Sequence, residues 1–430
     1  MYRPVLCLLL LTFTSPAYAA DQPPNILLIM ADDVGVECLG CYGGTSYPTP
    51  RLDRLAETGT RFTHCYSMAV CHPTRITLMT GRYPFRFAAR WGDFPNDVAP
   101  STIGPLMQQA GYATAVAGKW QIAQLRDNPQ HPRQLGFEES SLFGWHEGPR
   151  YWQPLIWQNG RIRDDVADRY GPDVYADVLI DFMEQHRDGP FFAYFPMALC
   201  HDVTDDLDAP VPFAPGKDRY ESYAEMMAHM DRIVGRLVDA LDRLDLRDET
   251  LIIFTTDNGT ASRSIAGVRD GKLYREPVVS RRGDEEIPGG KGTLRDTGTN
   301  VPLIVNRPGH VPAGVVRNDL VDFSDFLPTL AEIASVTLPE DVPYDGHSFA
   351  ACLQEDRQGT RTWAFAEHKG KAFVRNRRFK LYNDGRFYDV QADPRERRPI
   401  EDDASPQARQ ARQQLQAAFE STGWFENRKN

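Results

Sequence analysis

Ile26-Leu27-Leu28-Ile29-Met30, closing on Asp32-Asp33, is the stretch that decides the fold. Consecutive apolar residues without alternation fit a strand covered on both faces, as a parallel strand is between two helical layers. The signature returns at 113–117, where Thr114 is the one polar member, after the turn Ala110-Gly111-Tyr112. It returns again at 191–195 after Gly189-Pro190, at 251–255, and in shorter form at 303–305. Between the third and fourth runs, Met226, Met230, Ile233, Val234, Leu237, Leu241 and Leu244 recur at three- and four-residue steps, which is a helix. Buried strands separated by helices predict an α/β fold: a large mixed, mainly parallel sheet sandwiched by helices.

The tail reads differently. Short strands are expected at 362–366, 372–375, 379–382 and 387–389, with turns at Asn376-Arg377 and Asp384-Gly385 and an amphipathic helix over about 408–419. The expected organisation is therefore a main α/β domain over 21–355 and a small antiparallel sheet plus helix over 356–430. Residues 1–20 read as a secretory signal: Arg3, an apolar run from Val5 to Phe13 and the cleavage pattern Ala17-Tyr18-Ala19. That run is too short to span a bilayer. The expected location is exported, periplasmic or secreted, with no membrane span.

Composition sets wide bounds. With 41% hydrophobic and 25% charged residues, the chain can bury a large core. A net charge of −11 argues against a nucleic-acid binder, but it permits an anionic substrate, because distant surface charge is screened. Beyond the signal stand Cys38, Cys41, Cys65, Cys71, Cys200 and Cys352, whose pairing sequence alone does not give. No thioredoxin-like context surrounds Cys38 and Cys41.

Ligands of open α/β sheets bind beyond the carboxyl ends of the strands. The first run ends in Asp32-Asp33, the second in Gly118-Lys119, the third leads to His201-Asp202, and the fourth ends in Asp257-Asn258-Gly259. Each taken alone reads equally well as a loop residue or helix cap; four strands delivering such groups to one edge predict a shared site. Asp32, Asp33, Asp257 and Asn258 offer oxygen donors only, which suits a hard cation such as calcium or magnesium, and not zinc. Without a cation, three carboxylates would repel one another. Cys71-His72-Pro73-Thr74-Arg75 then sets Cys71 at a helix N-terminus, where backbone N–H groups favour an anion. A bare thiol there could itself be a nucleophile, although no histidine–asparagine partner pattern of a cysteine protease accompanies it.

On these residues the chain resembles the type I sulfatases of the alkaline phosphatase superfamily, whose modification signal is Cys-x-Pro-Ser/Thr-Arg. The segments Asn25–Asp33, Pro50–Phe62, Gly118-Lys119-Trp120, Thr256–Gly259, Lys291-Gly292-Thr293 and Val301-Pro302 resemble further family motifs, in the family's order. The resemblance implies that a formylglycine-generating enzyme oxidises Cys71 to formylglycine during export. The aldehyde hydrates; one geminal hydroxyl attacks the sulfur, and the second later expels sulfate. It implies one calcium ion held by Asp32, Asp33, residue 71, Asp257 and Asn258. It also implies that Arg75, Lys119 and Lys291 hold the sulfate's charge, and that His201 or Lys291 protonates the leaving alcohol.

Two positions depart from the family. Gln121 stands where a histidine is usual, and glutamine cannot act as a base. The segment after Lys291 reads Asp296-Thr297-Gly298-Thr299-Asn300-Val301-Pro302, where the family has Glu-Gly-Gly-x-Arg-Val-Pro. Trp145, Tyr151, Trp152 and Trp157, beside His146 and Arg150, suit either core packing or stacking on a sugar. Arg263, Arg269, Lys272, Arg275, Arg281 and Arg282 suit either a solvated loop or a basic lip over an anionic substrate. His64 and His72 read as structural. The expected activity is hydrolysis of an organic sulfate ester, with a sulfated carbohydrate as substrate. The competing readings are a phosphonate monoester or phosphodiester hydrolase on the same scaffold, and a catalytically silent sulfated-glycan-binding protein.

Overall fold

The computed structural model describes residues 23–87, 92–144, 147–202, 222–269, 272–354, 357–401 and 405–427. The expected signal segment, Trp145 and His146 lie outside them. Its strands in chain order are β1 (Asn25–Ala31), β2 (Thr60–Tyr66), β3 (Ala113–Lys119), β4 (Glu139–Phe143), β5 (Trp157–Gln158), β6 (Arg161–Ile162), β7 (Phe191–Pro196), β8 (Thr250–Thr256), β9 (Arg263–Arg269), β10 (Lys272–Pro277), β11 (Val279–Arg282), β12 (Glu285–Pro288), β13 (Leu303–Asn306), β14 (Val315–Asp322), β15 (Ala364–His368), β16 (Lys371–Arg375), β17 (Phe379–Tyr382) and β18 (Phe387–Asp389).

Ten of these form one sheet in the order β14-β2-β13-β8-β1-β7-β3-β4-β5-β6. From β8 through β4 the strands run parallel, while β13 lies antiparallel to both β8 and β2. The reason for the unbroken apolar run is visible in β1. Leu27, Ile29 and Ala31 enter one core, and Ile26, Leu28 and Met30 enter the other, all fully buried. At about 1.5–3 kcal/mol for each large side chain, this strand alone contributes on the order of 10 kcal/mol of burial. Helices Pro50–Glu57, Gly171–Gln185 and Tyr223–Arg243 pack on the first face. Helices Cys71–Thr80, Ile103–Gln109 and Phe326–Ile333 pack on the second. The fold is the expected α/β architecture.

The four-stranded antiparallel sheet β15–β18 carries the helix Pro406–Ser421. Its apolar face shares a core with Tyr66, Met68, Ala69 and Leu294 of the main sheet's edge. The first strand of this sheet begins at Ala364, later than expected. Arg361 is drawn into a buried pair with Asp325, and it also holds the Trp363 carbonyl at 3.0 Å, so residues 361–363 anchor instead of pairing.

The basic stretch 263–282 is not a loop but parts of two hairpins, β9–β10 and β11–β12. In the second, Arg281 and Arg282 stand opposite Glu286 and Glu285, so opposite charges fix the register. Among the described residues no helix is long and apolar enough to cross a membrane.

Candidate active site

Because β1, β8, β3 and β7 are parallel, their carboxyl ends share one edge and present Asp32-Asp33, Asp257-Asn258, Lys119 and the segment leading to His201 together. The reversed β13 lets the preceding segment, which carries Lys291, enter at that same edge. Helix Cys71–Thr80 starts at residue 71 after an extended Val70, and Gly81 ends it in the left-handed region at φ 64°. The structure thus brings all nine sequence-predicted site residues into one cluster.

The polar geometry is dense. Lys119 Nζ pairs closely with Asp32. Arg75 bonds Asp257 Oδ2 at 2.8 Å, lies 3.7 Å from Asp32, and donates to the Lys119 carbonyl at 3.1 Å. Lys291 Nζ reaches Asp33 at 2.6 Å, and Asn258 Nδ2 donates to Asp33 Oδ1 at 2.8 Å. His201 Nδ1 donates to the Asp202 carbonyl at 2.8 Å. The Cys71 sulfur accepts from Gln121 Nε2 at 3.1 Å. Asp32, Cys71 and Asp257 have ligand atoms within 4.8 Å of one another, as do Asp32, Asp33 and His201. Cys71, Asp32, Asp257 and Asn258 are at most 2% exposed.

Burial sets the electrostatics. It pushes the Asp33 carboxyl up to about 7; Lys291 opposes the rise, and Asp32 and Asp257 add to it. Asp257 is raised by burial and then by Asp32. Burial also acts to raise Asp32, but Lys119, His201 and Arg75 outweigh it and hold that carboxyl well below the usual range. Burial, with Lys291 and Lys119 nearby, pushes the His201 imidazole well down.

The donor set fits a hard divalent cation on a direct observation. Among the described residues, Asp32 Oδ1 and Asn258 Oδ1 are buried oxygens without a hydrogen-bond partner, and a buried acceptor left unmade is costly. Two free oxygens amid three crowded carboxylates are what such an ion would satisfy.

The family departures also find their places. Gln121 sits at φ 59°, its amide nitrogen on Cys71 and its buried Oε1 without a partner among the described residues. Asn300, where arginine was expected, donates to the Thr63 carbonyl at 3.3 Å. Asp296 instead takes Arg375 from the C-terminal sheet at 2.7 Å. His72 turns away, accepting from the Gly92 N–H at 3.2 Å.

Three further side chains support the site in ways the sequence does not give: Tyr223 carries no motif, and Tyr151 and Arg275 read there only as members of an aromatic cluster and a basic stretch. Tyr223 donates its hydroxyl to the Asp33 carbonyl at 2.7 Å, where Asp33 holds a left-handed φ of 61°. Tyr151 donates to the Ala198 carbonyl at 2.8 Å, bracing the His201 segment. Arg275, on β10, bonds Asp202 at 2.6 Å, next to His201. A helix-start tyrosine and a hairpin arginine carry no motif that separates them from ordinary core and surface residues.

Comparison with known proteins agrees with this geometry. The family model described as Sulfatase matches residues 24–336, and that described as N-sulphoglucosamine sulphohydrolase, C-terminal, matches 290–422. Human arylsulfatase A is 30% identical, covering 90% of this chain and 80% of its own. Human N-acetylgalactosamine-6-sulfatase is 31% identical, covering 79% and 68%. The solved structure of Ps i-CgsB in complex with k-i-k-neocarrahexaose superposes with a TM-score of 0.74 at 26% identity, covering 94% of this chain and 93% of that one. With a family model spanning most of the chain and relatives at this identity, the protein belongs to the sulfatase family, hydrolases of sulfate esters.

Proposed function

We propose that this sulfatase removes sulfate from a sulfated carbohydrate, using residue 71, matured from cysteine to formylglycine, and one calcium ion. The observation that carries the reading is the approach of residue 71, at a helix N-terminus, to Asp32 and Asp257 beside two unpartnered buried oxygens. Asp32, Asp33, Asp257, Asn258 and the matured residue 71 would hold the ion, all through the oxygen donors calcium prefers. When bound, it supplies Lewis-acid polarisation of a sulfate oxygen and eases deprotonation of a nearby hydroxyl, and the formylglycine hydrate supplies that hydroxyl.

The chain's own side chains do the rest. Arg75, Lys119 and Lys291 hold the sulfate group and stabilise its charge as it redistributes in a water-poor pocket. Gln121 orients the hydrate through its amide; it moves no proton. The proton for the departing alcohol comes from His201 or Lys291. His201 has Nδ1 committed to the Asp202 carbonyl, so Nε2 is its exchanging atom. Whichever residue it is, its alanine variant loses more on sugar sulfates than on nitrophenyl sulfate, whose leaving group needs little protonation.

The carbohydrate reading rests on the names of the relatives, which include an N-acetylgalactosamine sulfatase and a structure bound to a neocarrahexaose. The domain division at about residue 355 and the signal segment at 1–20 belong to the same proposal, with export placing the chain where residue 71 is oxidised. The test is the mass of the peptide spanning 65–82 from protein of the native host, together with assays of an aryl sulfate and an aryl phosphonate. The expected result is the aldehyde and faster sulfate turnover. An intact thiol in active enzyme, or faster phosphonate turnover, overturns it.

A further inference from the structure

Next in sequence to Lys291 of the proposed site lies a cavity of about 440 Å³, between the segment after Lys291 and the C-terminal sheet. Its walls include Arg295, His368, Lys369, Lys371 and Arg386, with Glu396 as the acidic member. Glu396 is already spent: Lys380 Nζ lies 2.7 Å from it, and the Tyr382 hydroxyl donates to it. Arg386 is paired with Asp384 at 2.9 Å. Arg295, Lys369 and Lys371 are exposed, and their side chains make no hydrogen bond or ion pair among the described residues. In a chain of net charge −11, three cations without acidic partners facing one cavity form a local field of the opposite sign.

The cavity adjoins the site through the backbone. Gly292, on its wall, donates its N–H to the Ala69 carbonyl at 2.9 Å, two residues before Cys71. Lys291, the preceding residue, bonds Asp33. Arg295 is four residues further on, so its Cα lies at most about 14 Å from that of Lys291.

We infer that this cavity binds a second anionic group of the substrate, a sulfate ester or a carboxylate, carried on the sugar next to the one that is desulfated. The inference rests on the carbohydrate reading above. Arg295, Lys369 and Lys371 are then specificity residues that touch no reacting atom. They select polyanionic glycans and contribute to binding rather than to the chemical step.

The test compares the full-length enzyme with the R295A/K369A/K371A variant on four substrates. These are 4-nitrophenyl sulfate and three disaccharides that carry the scissile sulfate on one sugar and nothing, a second sulfate or a carboxylate on its neighbour. Expected is a rise in KM of about tenfold or more for a doubly anionic disaccharide, with kcat preserved, weaker salt dependence, and unchanged kinetics on the singly charged one. Whether the sulfate or the carboxylate arm shifts identifies the anion. Equal KM values for wild type and variant on both doubly charged sugars overturn the inference, as does an equal loss on all substrates. Wild-type turnover of nitrophenyl sulfate with none of the three sugars overturns the carbohydrate reading instead, and the second-anion site with it.

Discussion

Two clusters of buried charge come within five residues of each other in sequence, at Lys291 of one and Asp296 of the other, and they are finished to different degrees. At the C-terminal sheet, Arg375 bonds Asp296 at 2.7 Å, Lys380 bonds Glu396 at 2.7 Å and Tyr382 donates to Glu396. Among the described residues, none of the buried side-chain polar atoms in that cluster is left without a partner. At the sheet edge, Asp32, Asp33 and Asp257 meet Arg75, Lys119 and Lys291, equal in number and in charge. Yet Asp32 Oδ1, Asn258 Oδ1 and Gln121 Oε1 remain unmatched. Both clusters bear the cost of burying charge. Only the first recovers it within the protein, so the first is a fastener and the second a receptacle.

The comparison breaks if the two clusters respond alike to substitution. Asp257→Ala should have the largest effect: sulfate release falls on the order of 10³-fold or more and the bound cation disappears from metal analysis. Full activity in metal-free protein would contradict the receptacle. Glu396→Ala should show the opposite pattern, since it strands Lys380 in the interior. Urea unfolding should reveal a loss of about 3–5 kcal/mol, with kcat/KM nearly unchanged at temperatures where the variant is folded.

A third prediction concerns a buried group that is neutral. His131 accepts a hydrogen bond from Trp120 Nε1 at 3.0 Å through Nδ1, so charging the ring breaks that bond. Burial lowers its pKa from 6.5 to about 4. A depressed folded-state value means the contribution is fully present above pH 6.5 and is lost as pH falls through 4, a swing of roughly 3 kcal/mol. His131→Gln should flatten the loss of unfolding free energy over that window; an unchanged slope would remove His131 from the account. The smallest expected effect is that of Tyr223→Phe. Losing the hydroxyl that holds the Asp33 carbonyl should weaken cation binding about tenfold by calorimetry, with little change in stability. Unaltered affinity would mean that the left-handed turn at Asp33 holds itself.

The parts legible in sequence were those where one physical demand acts alone. β1, β7 and β8 are buried on both faces, so their composition is apolar throughout. The metal-type donors follow those strands directly, and the spacing of the Cys71 segment carries its own resemblance. β2 and β14 were not legible, because Thr60–Tyr66 mixes buried and half-buried positions and Val315–Asp322 is an edge strand with alternating exposure. β9 to β12 hide for another reason: their stability comes from cross-strand charge and contacts remote in sequence, so locally they look like solvated loop. Tyr223 and Arg275 matter only through what the fold sets beside them.

The backward run of β13 has a temporal consequence. A nascent chain emerges from its amino end, and the strand that locks between β2 and β8 does not exist until about 300 residues have been made. Until then the thiol at residue 71, 2% exposed in the finished fold, belongs to a sheet that is not yet closed. Any catalyst that must handle that sulfur therefore has a window that opens with synthesis and shuts with folding.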